Sequence, residues 1–280
     1  STIFRAEHAA GDQRDEIGGF TGLGDELMVS GRARVLQQTD PRKCRVTYKG
    51  KADRWSPIWD GNPRIAKLGE VGDFQELAAR DMANNRPYHT GKTPERWTYN
   101  LDFRPDVGEI YLTDAEKAFG ARYPGRLILE PHIKPGASPN KRWPWEYWQR
   151  LAKLFIAAGM PVTQLGAPGT PVLDGAEFVP TGTFRLACSV IAGARAVVLP
   201  EGGSHHAAAA LGVPGVVLMG GFTPVELTGY AMHRNLGASL GEACGNRQPC
   251  AHCAEWMVRI TPGQVFDSLR NILRNNLRAA

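Results

Sequence analysis

Apolar residues in the second half of the chain follow a pattern that predicts alternating strands and helices. Short, continuously apolar runs are typical of strands that are covered on both faces. Longer segments between them carry apolar residues at helical spacing, and glycine or proline marks their ends. The predicted strands are 127–129, 161–165, 196–199 and 215–219, and the predicted helices are 145–158, 184–192 and 262–277. This alternation indicates an α/β domain with a parallel, doubly wound sheet.

The first half is less regular. A polar segment, 13–17, and a glycine-rich loop, 18–24, precede a predicted helix from about 25 to 38 and a strand at 45–48. Over 56–105 aromatic residues alternate with Pro, Asn and Gly, which is typical of long loops around a small core. Such loops often carry recognition. The change of pattern near 123–125 predicts two domains, 1–124 and 125–280.

Composition is that of a globular protein, with 42% hydrophobic and 22% charged residues over 280 positions. No apolar run approaches the roughly 20 residues of a membrane-spanning helix, and residues 1–11 lack the apolar core of a signal peptide. These features predict a cytoplasmic protein, in a bacterium or in a phage-infected host cell.

Five cysteines, an odd number, favour reduced thiols over a disulfide framework. Three of them, Cys244, Cys250 and Cys253, lie close together with His252. This segment could supply three or four zinc ligands, but one Cys-x-x-Cys without a second pair is more typical of a structured loop. The residues favour the loop and leave the zinc site open.

The charge balance favours an anionic partner without requiring one. The formal net charge is +5, and residues 32–67 hold ten Lys and Arg against three Asp. This basic run could contact phosphates on an acceptor, and it could equally be a solvated surface. Its cations are Arg32, Arg34, Arg42, Lys43, Arg45, Lys49, Lys51, Arg54, Arg64 and Lys67.

Two strand ends carry candidate anion-binding residues. After the strand at 196–199, Glu201-Gly202-Gly203-Ser204 leads into a predicted helix, whose free N–H groups favour a phosphate. After the strand at 127–129, the loop contains His132, Lys134, Lys141 and Arg142, and its lysines and arginine can neutralise a diphosphate at the carboxyl edge of the sheet. An ordinary tight turn and exposed loop lysines are the corresponding structural alternatives.

The order of these motifs resembles the heptosyltransferase-like glycosyltransferases, which have the GT-B fold. Gly24-Asp25 resembles the Gly-Asp motif of that family, and the other matching residues belong to its donor half. The resemblance covers about 22–38 and 127–225. The donor-half matches are Lys141-x-Trp143-Pro144 with Trp148 and Leu151, the segment 183–192, Glu201-Gly202-Gly203, and His206 followed by Ala-Ala-Leu-Gly-Val-Pro.

The resemblance implies two Rossmann-like domains that face each other across a cleft, the first binding an acceptor and the second a nucleotide sugar. Asp25 is then the general base that deprotonates an acceptor hydroxyl, although an acid at a helix start can also serve only as a cap. The implied donor-binding residues are His132, Lys134, Lys141, Glu201, Gly202, Gly203, Ser204 and His206. The implied acceptor-binding residues are Gly22, Gly24, Arg54, Trp55 and Trp59.

The expected activity is an inverting hexosyl or heptosyl transfer from a UDP- or ADP-sugar, without a catalytic metal or further cofactor. The acceptor is either a saccharide, such as a lipopolysaccharide core, or a 5-hydroxymethyl-pyrimidine in DNA, as in phage-type DNA glycosyltransferases. The alternative is a non-catalytic module that binds a nucleotide or DNA. One departure is clear: Glu201-Gly202-Gly203 stands where the family has Asp-Thr-Gly.

Overall fold

The computed structural model describes residues 22–48, 52–78, 88–134 and 136–279. The polar segment 13–17, most of the glycine-rich loop and two cations of the basic run, Lys49 and Lys51, lie outside these ranges. None of the helices in the described ranges combines the length and the apolar character that a membrane crossing requires.

The described residues of the first half contain two α-helices and two small sheets. Helix α1 spans Leu23–Leu36, two residues earlier than predicted at each end. Strand β1 (Cys44–Tyr48) pairs antiparallel with β2 (Ala52–Asp53) and parallel with β3 (Gln75–Ala78), and β4 (His89–Lys92) forms an antiparallel hairpin with β5 (Trp97–Tyr99). A short 3-10 turn spans Pro57–Trp59, and helix α2 spans Asp114–Gly120. The segment 56–105 is therefore less irregular than its composition predicted.

The second half contains a six-stranded parallel sheet, which confirms the predicted α/β architecture. The strand order is β11-β10-β9-β6-β7-β8. Four of these strands match the apolar runs, whereas β8 and β11 were not predicted because they lie at the two edges and carry polar residues. The strands are β6 (Leu127–Leu129), β7 (Val162–Gly166), β8 (Glu177–Pro180), β9 (Ala196–Pro200), β10 (Gly215–Gly220) and β11 (His233–Gly237).

Helices cover both faces of this sheet, as the continuously apolar strands require. Alternate residues of each strand belong to opposite cores: Leu127 and Leu129 pack with one set of helices, and Ile128 packs with the other. The helices are α3 (Trp145–Ala157), α4 (Phe184–Ala192), α5 (Gly203–Ala210), α6 (Val225–Thr228), α7 (Ala251–Arg259) and α8 (Pro262–Ala279). Buried residues of α3 and α8 form the first core, and those of α4 and α5 contribute to the second.

Among the described residues, hydrogen bonds join the two halves near α2 and α4 and near the β4–β5 hairpin. Arg185 of α4 forms an ion pair with Glu116 of α2, with Nε 2.6 Å from Oε1, and its guanidinium donates to the carbonyls of Pro57 and Tyr111. Elsewhere the hydroxyl of Tyr99 donates to the carbonyl of Phe222 at 2.5 Å. Between the halves, α1 packs against α5. These contacts place the start of α1 opposite the carboxyl edge of the six-stranded sheet.

Candidate active site

A cavity of about 200 Å³ lies between the start of α1 and the carboxyl ends of β6 and β9. Both halves of the chain line it, and it collects the whole predicted donor set together with Asp25. Parallel sheets bind their ligands at this edge. Its lining residues are Gly22, Leu23, Gly24, Asp25, Tyr88, His132, Ile133, Lys134, Ala137, Lys141, Phe184, Pro200, Glu201, Gly202, Gly203, Ser204 and His206.

Asp25 lies in the first turn of α1 and is 5% exposed. Its Oδ2 accepts the backbone N–H of Gly22 at 3.1 Å, so the residue does cap the helix. Its Oδ1 accepts the hydroxyl of Tyr88 at 2.9 Å, and both side chains line the cavity. The carboxylate of Asp25 therefore both caps α1 and lines the cavity. Tyr88 was missed from the sequence because a single tyrosine in a segment without periodicity gives no spacing signal.

The structure corrects the interpretation of three predicted acceptor contacts. Arg54 is buried in an ion pair with Glu26, and the indole of the fully buried Trp59 donates to the Glu26 carbonyl at 2.8 Å. Trp55 donates to Asp60 at 3.1 Å and does not line the cavity. Arg54 and Trp59 therefore both contact α1 through Glu26. A tryptophan ring is stable in a buried position, and a buried arginine is stable when it is paired with a carboxylate.

The ends of β6 and β9 build the side of the cavity that carries the predicted donor-binding residues. A 3-10 turn, Pro139–Lys141, brings Lys141 against Glu201, and the two side chains form an ion pair that is mostly buried. The ammonium of Lys134 lies close to Gly22 of the other half: a Cβ added to Gly22 would be 3.4 Å from Nζ of Lys134. The ring of His132 lies at the cavity wall with Nε2 2.9 Å from the carbonyl of Pro171.

The two adjacent histidines have different surroundings. His205 accepts the N–H of Gly202 at Nδ1 and donates from Nε2 to the carbonyl of Thr228, at 2.9 and 2.7 Å. Burial lowers the pKa of His205, so its ring is neutral at pH 7 and supports the turn. His206 instead lines the cavity, with Nδ1 2.7 Å from the hydroxyl of Tyr230.

Glu201, His205 and His206 hold their ligand atoms within 4.8 Å of one another, as a metal site would. Both ring nitrogens of His205 are already hydrogen-bonded to backbone groups. Glu201 is paired with Lys141. Glu201 and His206 line the cavity, and the group does not present three available metal ligands.

Gly24 lies where α1 packs closely against α5. A Cβ at this position would lie 2.3 Å from Cδ2 of His206, whose ring is held by Tyr230. We expect Gly24→Ala to lower the free energy of unfolding by about 1–3 kcal/mol through overpacking, as measured by urea denaturation. Gly182→Ala is the matched control, since nothing lies within 4 Å of its added Cβ. Equal stability of the two variants would contradict this close approach.

Acidic partners within the basic run, before it and after it neutralise much of its charge. Arg42 pairs with Asp40 and Asp73, and its Nη1 lies 2.9 Å from Asp73. A count limited to residues 32–67 misses Glu26, Glu70, Asp73 and Glu109, because these acids come from outside the run. The further pairs are Lys43 with Glu70, Arg45 with Asp53, Arg54 with Glu26, and Arg34 and Arg64 with Glu109.

Glu130 follows β6 directly, and its desolvation raises the pKa of the carboxyl to about 8, although it accepts the N–H of His132. The folded protein then keeps this proton between about pH 4.5 and 8 while the unfolded chain loses it. Stability should therefore fall as the pH rises through this range. We expect Glu130→Gln to remove that part of the decrease, measured by urea denaturation at pH 5 and pH 8.

The exposed Glu95 provides a control, because Glu95→Gln should retain the pH dependence of the unchanged protein. If Glu130→Gln and Glu95→Gln lost the same stability between the two pH values, the raised pKa would be contradicted.

Comparison with known proteins agrees with this arrangement. Residues 131–255 match the model of glycosyltransferase family 9 (heptosyltransferase). Lipopolysaccharide heptosyltransferase 1 of Pseudomonas aeruginosa strain PAO1 is 30% identical over 215 residues, which cover 71% of this chain. The chain spans 58% of the length of that relative.

Two solved structures have a similar fold. ADP-heptose lipopolysaccharide heptosyltransferase II of E. coli gives a TM-score of 0.58 at 15% identity, with 92% of this chain and 98% of that chain covered. A family 9 glycosyltransferase of Veillonella parvula DSM 2008 gives 0.61 at 14% identity, covering 90% and 95%. The predicted resemblance and the GT-B-like fold are confirmed: the chain carries a glycosyltransferase family 9 domain and is a homologue of the heptosyltransferases.

Proposed function

We propose that this protein is an inverting glycosyltransferase that moves a sugar from a nucleotide-sugar donor to a hydroxyl acceptor. One observation carries the proposal. The carboxylate of Asp25 in the first half lines the same cavity of about 200 Å³ as two elements of the second half. These are the ammonium of Lys141 and the start of α5 at Gly202–Ser204. Transfer needs a base and a leaving-group site on opposite sides of the reacting carbon, and the two halves supply one each.

In this mechanism Asp25 accepts the proton of the acceptor hydroxyl while the oxygen of that hydroxyl forms a bond to the anomeric carbon. The bond from that carbon to the diphosphate breaks, and the electron pair leaves with the diphosphate. Lys134, Lys141 and the N–H groups at the start of α5 stabilise the developing negative charge. The hydroxyl of Tyr88 holds Asp25 by donating to Oδ1, which leaves Oδ2 to receive the proton as the Gly22 contact opens.

Glu201 forms part of the donor site in this proposal. Its carboxylate forms an ion pair with Lys141, and a diphosphate would compete for the same ammonium. The ion pair thus fixes the lysine side chain at the wall of the cavity. A carboxylate beside the cavity can also accept hydrogen bonds from sugar hydroxyls.

We infer an ADP-heptose donor and a saccharide acceptor. The E. coli protein of similar fold is named for ADP-heptose, and the cavity offers cations for its diphosphate. The acceptor is a saccharide because the basic run that would follow a DNA backbone is largely ion-paired with carboxylates. Paired cations release few counterions and contribute little to DNA affinity.

The test is mass spectrometry of acceptors incubated with the protein and a panel of ADP- and UDP-sugars. A mass gain of one heptose on a lipopolysaccharide-core saccharide supports the proposal. A gain on hydroxymethylated duplex DNA alone would overturn the acceptor assignment. If calorimetry detected donor binding but no acceptor gained mass, the chain would be a non-catalytic nucleotide-binding module.

A further inference from the structure

Three cysteine side chains form a cluster outside the cavity. Cys244 lies in the loop after β11, Cys250 precedes α7, and Cys253 lies in the first turn of α7. The Sγ atom of Cys244 is 3.3 Å from that of Cys253 and 3.8 Å from that of Cys250. These separations are far longer than the roughly 2.0 Å of a disulfide, and all three are free thiols.

His252 adds an imidazole to the same cluster. Its Nδ1 lies 4.0 Å from Sγ of Cys253, and the ligand atoms of Cys244, His252 and Cys253 all lie within 4.8 Å of one another. Tetrahedral zinc with Zn–S bonds of about 2.3 Å holds its sulfur ligands about 3.8 Å apart. The two Sγ–Sγ separations from Cys244, 3.3 and 3.8 Å, are close to this value.

We propose that Cys244, Cys250, Cys253 and His252 bind a structural Zn²⁺ ion. The three thiols lose their protons to solvent when the metal binds, and the imidazole stays neutral. His252 now accepts the indole N–H of Trp256 at Nε2, 3.2 Å away. Coordination through Nδ1 moves the ring proton to Nε2, so the contact with Trp256 opens on binding. Four protein ligands close the coordination sphere, which is the arrangement of a structural site.

Hydrogen bonds connect the cysteine loop to the turn that carries Lys141. The side chain of Asn140, beside Lys141, donates to the carbonyls of Asn246 and Gln248 at 2.6 and 2.7 Å and accepts the N–H of Cys250 at 3.2 Å. A metal that fixes the cysteine loop therefore also fixes the turn that carries Lys141.

The same loop holds the first half of the chain. The N–H of Trp97 donates to the Gly245 carbonyl at 2.9 Å, and the guanidinium of Arg96 donates to the Cys244 carbonyl at 2.8 Å. Zinc would thus connect the β4–β5 hairpin to the sheet domain through one cross-linked loop. This inference concerns folding and metal content, and it does not depend on the transferase reaction.

The test is elemental analysis of the full-length chain purified under reducing conditions. We expect about one Zn²⁺ per chain, a fall in the thermal midpoint after chelation, and its recovery on adding zinc. Replacement by Co²⁺ should give the intense visible absorption of a tetrahedral cobalt thiolate. Iron can occupy similar ligands, and one iron per chain in place of zinc would overturn the metal assigned.

Cys253→Ser should abolish stoichiometric binding, while His252→Ala, which leaves the thiols intact, should fold and lose zinc to a chelator sooner. Cys44→Ala is the matched control, since Cys44 lies in the other half, and it should retain one metal ion. A reduced protein that neither contains nor takes up Zn²⁺ or Co²⁺ would overturn the proposal. So would a Cys244–Cys253 disulfide found by mass spectrometry in protein purified without oxidant.

Discussion

Replacing Asp25 by Asn is expected to lower kcat by about 100-fold or more, because an amide cannot accept the acceptor's proton. The donor site lies on the other half of the chain, so the Kd for the nucleotide sugar should stay within about twofold. The single amide oxygen can still accept the hydroxyl of Tyr88, and the N–H of Gly22 then loses its acceptor. Steady-state kinetics and calorimetric titration with donor measure the two effects separately.

Asp25 also caps α1, so a loss of protein stability is a second explanation for reduced activity of Asp25→Asn and needs its own control. Asp114→Asn is the matched control: it is the same change in the first turn of α2, at a fully exposed side chain outside the cavity. It should leave kcat unchanged. If Asp25→Asn lost activity only in proportion to its unfolded fraction, or kept full turnover, Asp25 would not be the base.

Lys141→Met is expected to lower kcat by about 10²–10³-fold, since it removes a positive charge aimed at the leaving diphosphate. The loss has a second source. Glu201 would remain buried without this lysine, beside the position proposed for the diphosphate, and would repel it. Donor binding should therefore weaken together with kcat, as calorimetry and steady-state kinetics can measure.

Arg142→Met controls for loss of charge, because this neighbouring cation is exposed and does not line the cavity. It should change kcat by less than about twofold. The double variant Lys141→Met with Glu201→Gln separates the two sources, since it removes the repulsion and should regain part of the donor affinity. Equal kinetics for Lys141→Met and Arg142→Met would exclude a role for Lys141 at the diphosphate.

The sheet of the second half could be predicted because burial dictates its composition. Leu127–Leu129 and Ala196–Pro200 lie in the middle of the sheet and are covered on both faces, so every position is apolar or small. The edge strand His233–Gly237 mixes Arg, Asn and Leu, and its partners fix it as a strand more than its own residues do. Edge strands are therefore the part of this fold that a periodicity argument misses.

The candidate site could be predicted where a backbone requirement has a sequence pattern. Glycines at 202 and 203 before a helix predict a close approach of backbone to a ligand, and Lys141 is predicted from the order of motifs. Tyr88 and Tyr230 could not be predicted, because each depends on contacts with residues far along the chain. The prediction that Trp59 contacts an acceptor was made from composition, which does not distinguish a stacking tryptophan from a core tryptophan. Trp59 is fully buried in the core.

Arg185 and Tyr99 have a consequence for the energetics of turnover. Each ties the two halves together through a hydrogen bond to backbone. In the proposed mechanism the base and the leaving-group site lie on different halves, so the distance between them would be set when the protein folds. The entropy lost in aligning them would then be lost once per molecule, during folding, and each catalytic cycle would begin with the alignment already made.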